Sequence, residues 1–245
     1  MNNFIVDNLE IPFNNEWSNI AVSISGGADS ALLAYLLCKH ITDNNLPIDV
    51  AFISHVRMWK TRPWQRYNSL DVYSYFLRTF KNIHFERYEN FIAPDIEWGN
   101  VGPTFTDEYG KPSSGDIAEI RSYAEYICYY ENVDAYYNGV SHNPRSIDLG
   151  GMEKRDVEPT EENQYLRLTT HMNKTVVHPF RFIEKDWIIR QYNVLQLTEL
   201  LNNTRSCEGE FPDINYTTYT PGQYVPICNE CFWCKERSWA IEQSK

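Results

Sequence analysis

Apolar residues gather in short dense runs between polar stretches, and the runs alternate between two periods. Ile20-Ala21-Val22-Ser23-Ile24 is brief, continuous and rich in β-branched residues, which predicts a buried strand. Beyond Ser25-Gly26-Gly27 the period changes. Ala31, Leu32, Leu33, Ala34, Leu36 and Leu37 form a wide apolar helical face ending near His40, with Asp29 or Ser30 as the expected N-terminal cap. Asp43-Asn44-Asn45 breaks the chain ahead of a second strand over 48–56. A helix over 64–80, a third strand over 83–88, a helix over 116–131 and a fourth strand over 135–140 follow. Val176 to Phe180 reads as a short strand, 184–201 as one or two helices, and 235–243 as a closing helix. Two polar, Gly-containing segments, 89–114 and 141–170, read as long loops, and loops of that length in a compact domain are usually functional. Alternating strands and helices predict an α/β fold, a parallel sheet with helices on both faces and right-handed crossovers.

Composition narrows the function classes. The 245 residues suit one α/β domain over 1–203 with an appended element over 204–245. A formal charge of -11 argues against a long grip on a phosphate backbone, so nucleic acid is not the expected partner. No apolar run approaches the roughly 20 residues of a membrane span, and Met1-Asn2-Asn3-Phe4 does not start a secretory leader. A cytoplasmic location is therefore expected, and six cysteines in a reducing compartment suggest metal binding or catalysis before disulfides. Tyrosine and tryptophan are abundant, with core and rim packing as their expected use.

The densest chemical signal is the turn between the first strand and the first helix. There the backbone N–H groups of Ser25-Gly26-Gly27-Ala28-Asp29-Ser30 converge at a helix N-terminus, where the helix dipole adds partial positive charge. Gly26 and Gly27 permit close backbone approach, while the hydroxyls of Ser25 and Ser30 can donate to phosphate oxygens. Asp29 cannot face phosphate unaided, which leaves it to cap the helix or to hold a Mg²⁺ that bridges phosphates. The loop differs from a Walker P-loop, whose Lys precedes its Ser/Thr; here Lys39 lies a whole helix away.

A second signal lies in the tail. Cys228-x-x-Cys231-x-x-Cys234 sets three thiols at a spacing that reaches one tetrahedral ion, and Cys207 can close it from an upstream loop. A closed all-sulfur zinc site would be structural; an iron–sulfur cluster is the rival for the same residues. Cys38 and Cys128 fall within predicted helices and read as small core residues.

The loop Ser25-Gly26-Gly27-x-Asp29-Ser30 resembles the PP-loop of the ATP pyrophosphatases, within the adenine-nucleotide α-hydrolase-like, Rossmann-like fold. Leu201-x-x-Thr204-x-Ser206-Cys207, the three later cysteines with Arg237, and His178-Pro179-Phe180 with Lys185-x-x-Ile188 resemble the 7-cyano-7-deazaguanine synthase family. The resemblance implies ATP with Mg²⁺ and a Zn²⁺, a small heterocyclic substrate, ammonia, and release of AMP and pyrophosphate. It implies nucleotide contacts from Ser23, Ser25, Gly26, Gly27, Ala28, Asp29 and Ser30, with Asp29, Ser30 and Lys185 acting in catalysis. The residues between the two motifs depart from that family: Ser54-His55-Val56-Arg57-Met58-Trp59 follows the second strand, and Pro112-Ser113-Ser114-Gly115-Asp116 opens the middle helix. Adenylation is thus better supported than the deazaguanine substrate. A diverged enzyme acting on another base, tRNA or protein, and an inactive nucleotide-binding regulator, stay open.

Four further positions are weighed against plain packing or solvation. His55 ends the second strand on the expected ligand edge and could touch the nucleotide. Gly139, in Asn138-Gly139-Val140-Ser141-His142-Asn143, would let backbone approach a ligand. Arg121, on the helix behind the first loop, is the candidate substrate contact. Lys185 could neutralise phosphate charge. A homodimer is left open.

Overall fold

The computed structural model describes residues 3–56, 64–92, 105–106, 112–113, 116–149, 166–168, 174–208 and 227–245. The central strand β3 (Asn19–Ser23) leads into α1 (Ala28–Asp43), then β4 (Asp49–Val56), α2 (Gln65–Thr79) and β5 (Phe85–Phe91). The chain then returns past β3 through α3 (Asp116–Tyr130) to β8 (Ala135–Tyr137), and on to β10 (Thr175–Val177). A short strand β9 (Leu166–Leu168) pairs antiparallel with β10. The six-stranded sheet has the order β5-β4-β3-β8-β10-β9, and all pairs but the last are parallel. Two antiparallel ribbons complete the strands: β1 (Phe4–Val6) with β2 (Leu9–Ile11), and β6 (Phe105–Thr106) with β7 (Pro112–Ser113). Asp7 and Asn8 have φ of 44° and 67°, the left-handed pair that a two-residue hairpin with matching twist requires.

Both faces of the sheet are covered, as the apolar runs predict. Ile20 and Val22 of β3 and Val50 and Phe52 of β4 share a core with Leu32, Leu33 and Leu37 of α1 and Phe76 of α2. The alternate residues Ala21, Ala51 and Ile53 turn the other way, toward Ile127 and Cys128 of α3. Three helices close the chain: α4 (Lys185–Val194), α5 (Thr198–Asn202) and α6 (Phe232–Gln243). α4 packs against both α1 and α6, so the last helix is anchored on the layer that holds the first. No helix among the described residues is long and apolar enough to cross a membrane.

The topology decides where a ligand can sit. From β3 the chain steps to β4 and β5 on one side, then to β8 and β10 on the other. Connections leaving β3 and β8 diverge, which opens a crevice at the carboxyl ends of these two neighbours. Two expectations are revised. Neither Asp29 nor Ser30 caps α1: Gly27 takes the N-cap position with extended backbone and no side chain closes it. Both side chains are engaged elsewhere, as described below. The third strand runs on to Phe91, so the start of the expected 89–114 loop belongs to the sheet. Residues 93–104, 107–111 and 114 of the first expected loop lie outside the described residues, as do 150–165 and 169–170 of the second.

Candidate functional site at the sheet switch point

After β3 the Ile24 N–H donates to Ile53 O at 2.8 Å, holding the strand's end to its neighbour before the chain turns. The turn depends on Gly26, whose φ is +77°. A Cβ there would stand 3.0 Å from both the Asn68 Cβ and the Ser69 N of α2. From the far side the Arg205 N–H donates to Gly26 O at 2.8 Å. Gly26→Ala is therefore expected to destabilise the protein by about 2 kcal/mol, from left-handed strain and overpacking together. A lower denaturant midpoint at unchanged slope is the measurement.

Two serines hold the loop's shape. The Ser25 N–H donates to Ser30 Oγ at 3.2 Å, the two hydroxyls lie 3.1 Å apart, and the Gly27 N–H donates to Ser25 Oγ at 3.2 Å. The Ser30 hydroxyl also lies within 3.2 Å of Gly27 O, onto which it turns back instead of capping the helix. Behind this turn begins a 16-residue helix, whose first N–H groups have no intrahelical acceptor and whose first residues Ala28, Asp29 and Ser30 line the crevice. Gly139, just after β8, lies against that first turn: a Cβ there would come within 3.0 Å of the Ser30 N and Cα. Gly139 is thus required by close packing of two backbones, and it also lines the crevice.

Asp29 has a role that spacing alone did not reveal. Lys185, at the start of α4, places its Nζ 2.6 Å from each carboxylate oxygen of Asp29, and its side chain is only 4% exposed. The Ser141 hydroxyl donates to Asp29 Oδ2 at 3.0 Å. On the inner side, Glu236 Oε2 of α6 lies 3.5 Å from the same Nζ, with the Glu236 side chain fully buried. Tyr192, also on α4, donates to Ala28 O at 2.7 Å and ties that helix to the loop. Asp29 and Lys185, 156 residues apart, therefore meet in the lining of one cleft of about 200 Å³.

Ser23, Ser25, Gly27, Ala28, Asp29, Ser30, Gly139 and Lys185, all expected from sequence, line this cleft. Ser141, Trp64 and Arg205 also line it and were not expected. The Arg205 guanidinium stacks 4.1 Å from the centre of the Trp64 ring, which sets a cation at the cleft wall. Only Ser141 carried a signal, since it falls two residues after Gly139 in the turn that follows β8. His55 and Arg121 are placed apart from the lining residues. His55 is buried with its Nδ1 3.5 Å from Asn90 Nδ2 and its ring edge-on to Tyr123. Arg121 is half-buried on α3.

The four tail cysteines converge next to the cleft. The sulfurs of Cys207, Cys228, Cys231 and Cys234 all lie within 4.8 Å of one another, and the Cys207–Cys228 and Cys228–Cys234 separations are 3.6 and 3.8 Å. Four thiolates around one ion at about 2.3 Å stand about 3.8 Å apart, so the set fits a single tetrahedral metal. Burial opposes ionisation of Cys228, but N–H groups of Cys231 and Glu230 and its thiol neighbours outweigh it and bring the thiol down to about 7. Burial pushes Cys234 up, as do its hydrogen bonds to Cys231 and Cys207. The cluster packs on Trp64, the ring beneath Arg205.

Parallel strands between two helical layers, with a glycine turn at the switch point, make this an α/β protein with a cleft at its central crevice. The chain matches no protein-family model and no curated protein. Among solved structures it is similar to the U34-tRNA thiolase NcsA from Methanococcus maripaludis with its 4Fe-4S cluster, at 14% identity and a TM-score of 0.44. That likeness covers 92% of this chain and 63% of the thiolase, so this chain spans less than two thirds of its length. It is also similar to phosphoadenylyl-sulfate (PAPS) reductase from Candida auris in a phosphate complex, at 10% identity and a TM-score of 0.43, covering 81% of this chain and 82% of the reductase.

Proposed function

We propose that this chain is an ATP-dependent adenylating enzyme of the ATP-pyrophosphatase class, which cleaves ATP between its α- and β-phosphates. The observation that carries the reading is the Ser25–Ser30 loop at the switch point, opening toward a buried lysine. The pyrophosphate would lie on the loop amides and the first turn of α1, where backbone dipoles need no reorganisation as charge develops. Ser25 and Ser30 would turn their hydroxyls from each other to phosphate oxygens. Lys185 would supply positive charge toward the leaving pyrophosphate, and Mg²⁺ would bring its own charge near Asp29. Little covalent chemistry falls to the protein, whose work is positioning and charge stabilisation.

The tail cysteines would hold one Zn²⁺ as a closed structural site. Their spacing supports a mononuclear centre, because the cysteine sulfurs around a four-iron cube stand much farther apart. For the acceptor we propose a small heterocyclic carboxylate, 7-carboxy-7-deazaguanine, with ammonia as nitrogen donor; the likeness of the two terminal motifs to the synthases of that nitrile supports this. Arg121 would serve the acceptor side.

Product analysis tests both levels. The protein with ATP, Mg²⁺, ammonium and 7-carboxy-7-deazaguanine is expected to give AMP and pyrophosphate with a heterocyclic amide or nitrile, read by mass spectrometry. ADP and phosphate would overturn the class. AMP release that ignores the deazaguanine would keep the class and move the acceptor to another base or a protein.

A further inference from the structure

Glu236 is a carboxylate with no solvent access, carried on the helix that starts at the cysteines. Burying such a charge costs several kcal/mol unless a cation compensates it. Lys185 lies 3.5 Å away, but its ammonium already sits 2.6 Å from both oxygens of Asp29. Two carboxylates therefore share one ammonium. Asp29 lines the cleft and Glu236 does not, so the two carboxylates hold the ammonium from different sides.

The three groups differ in their freedom. Asp29 faces the cleft with its side chain 18% exposed, while Glu236 is sealed behind Lys185. Helix α6 is also held firmly where Glu236 leaves it. Arg237, the next residue, donates to Thr204 O at 3.3 Å, Thr204 Oγ1 at 3.0 Å and Leu201 O at 3.1 Å. Cys234, two residues earlier, belongs to the thiol cluster. Glu236 is thus a fixed anchor and Asp29 a releasable one.

We propose that Glu236 is the positioning residue for Lys185: it retains the ammonium when a divalent cation arriving with a polyphosphate draws Asp29 away. This role rests on the nucleotide reading above. Without Glu236, Lys185 has Asp29 as its nearer carboxylate partner and holds it against the incoming cation. With Glu236, the Lys185–Asp29 contact can open while the ammonium stays in place at the cleft. The cysteine tail thereby also reaches Lys185, through the Glu236 side chain.

The experiment is a comparison of ATP affinity with and without Mg²⁺, by calorimetry on the full chain, in wild type and in Glu236→Gln. Charge alone predicts that Glu236→Gln binds the polyanion more tightly by one factor in both conditions. Positioning predicts instead that the gain in affinity on adding Mg²⁺ shrinks about tenfold, and that Glu236→Asp recovers part of it. In a Lys185→Met background, where there is no ammonium to release, adding Glu236→Gln should leave the Mg²⁺ gain unchanged. Metal content should stay at wild-type level in Glu236→Gln, which separates the effect from damage to the cysteine site. Should Lys185→Met not fold, the Gln and Asp variants decide alone. A Mg²⁺ gain equal to wild type in Glu236→Gln overturns the role and leaves the nucleotide reading standing. Wild-type protein that binds no ATP under either condition overturns both.

Discussion

Lys185→Met is expected to abolish AMP release and to cost about 3–5 kcal/mol of stability, because it removes the ammonium beside the buried Glu236 carboxylate. The asymmetry with its partner makes the expectation specific. Removing Lys185 leaves Asp29 and Glu236 facing each other across the vacated site, and Glu236 has no solvent access at all. Removing Asp29 leaves Lys185 beside Glu236, still one positive charge against one negative, at 3.5 Å. Asp29→Asn should therefore lose turnover by about a thousandfold or more, about 4 kcal/mol in the transition state, at a much smaller loss of stability. Denaturant midpoints read the first difference and AMP release reads the second. Equal stability losses in the two variants would mean that Glu236 is not compensated by Lys185. A Lys185→Met protein that turns over ATP normally would remove the lysine from the chemistry.

The same trio shows how far sequence reasoning reaches. The strand, the glycine pair and the helix behind them were legible because each depends on neighbours in the chain: β-branched residues, a left-handed turn at Gly26, then a period-3.6 apolar face. The sheet order was not. A pattern gives the elements, whereas the return past β3 to β8 is fixed by pairings such as Val22 with Tyr137, over a hundred residues apart. Helix capping by Asp29 was a sound local inference that lost to a distant partner. Lys185 offers that carboxylate a charge-assisted contact stronger than a neutral cap. Glu236 was invisible for a related reason, since nothing local marks a glutamate in Cys234-Lys235-Glu236-Arg237 as buried rather than solvated.

Small elements were missed on different grounds. The β1–β2 ribbon has three residues a strand, too few for alternation to register, and its turn carries Asp7-Asn8 instead of a glycine. Arg205 and Trp64 stack across 141 positions of sequence, a distance that periodicity does not span. The four cysteines were legible because metal geometry dictates their spacing, so short intervals encode a three-dimensional cluster directly.

Loss of the metal is expected to have the widest effect of any single perturbation. One zinc per chain should be found by elemental analysis, and Cys234→Ser should lower that content and the melting temperature together. The cluster is the meeting point of three segments: the 204–208 stretch, the 227–231 approach and the first turn of α6. Outside the cluster, α6 is held by packing on α4 and by Arg237 on two carbonyls. The approach carries Asn229 and Glu230, so it has little apolar surface with which to hold itself. Binding free energy at such a site is folding free energy, about 10 kcal/mol or more in isolated zinc-binding peptides. Even a third of that, about 3 kcal/mol, would lower the melting temperature of a chain this size by about 10 °C. The damage should also reach the cleft. Cys207 lies two residues from Arg205, whose N–H holds Gly26 O at 2.8 Å, and Trp64 packs on the thiols while carrying the Arg205 guanidinium. Chelation is therefore expected to weaken ATP binding by about tenfold before the protein melts, and added zinc to restore it. Chelated protein that keeps full ATP affinity would show that the cluster and the loop are neighbours without being coupled. Stoichiometric iron with visible absorbance in place of zinc would replace the mononuclear site by a cluster.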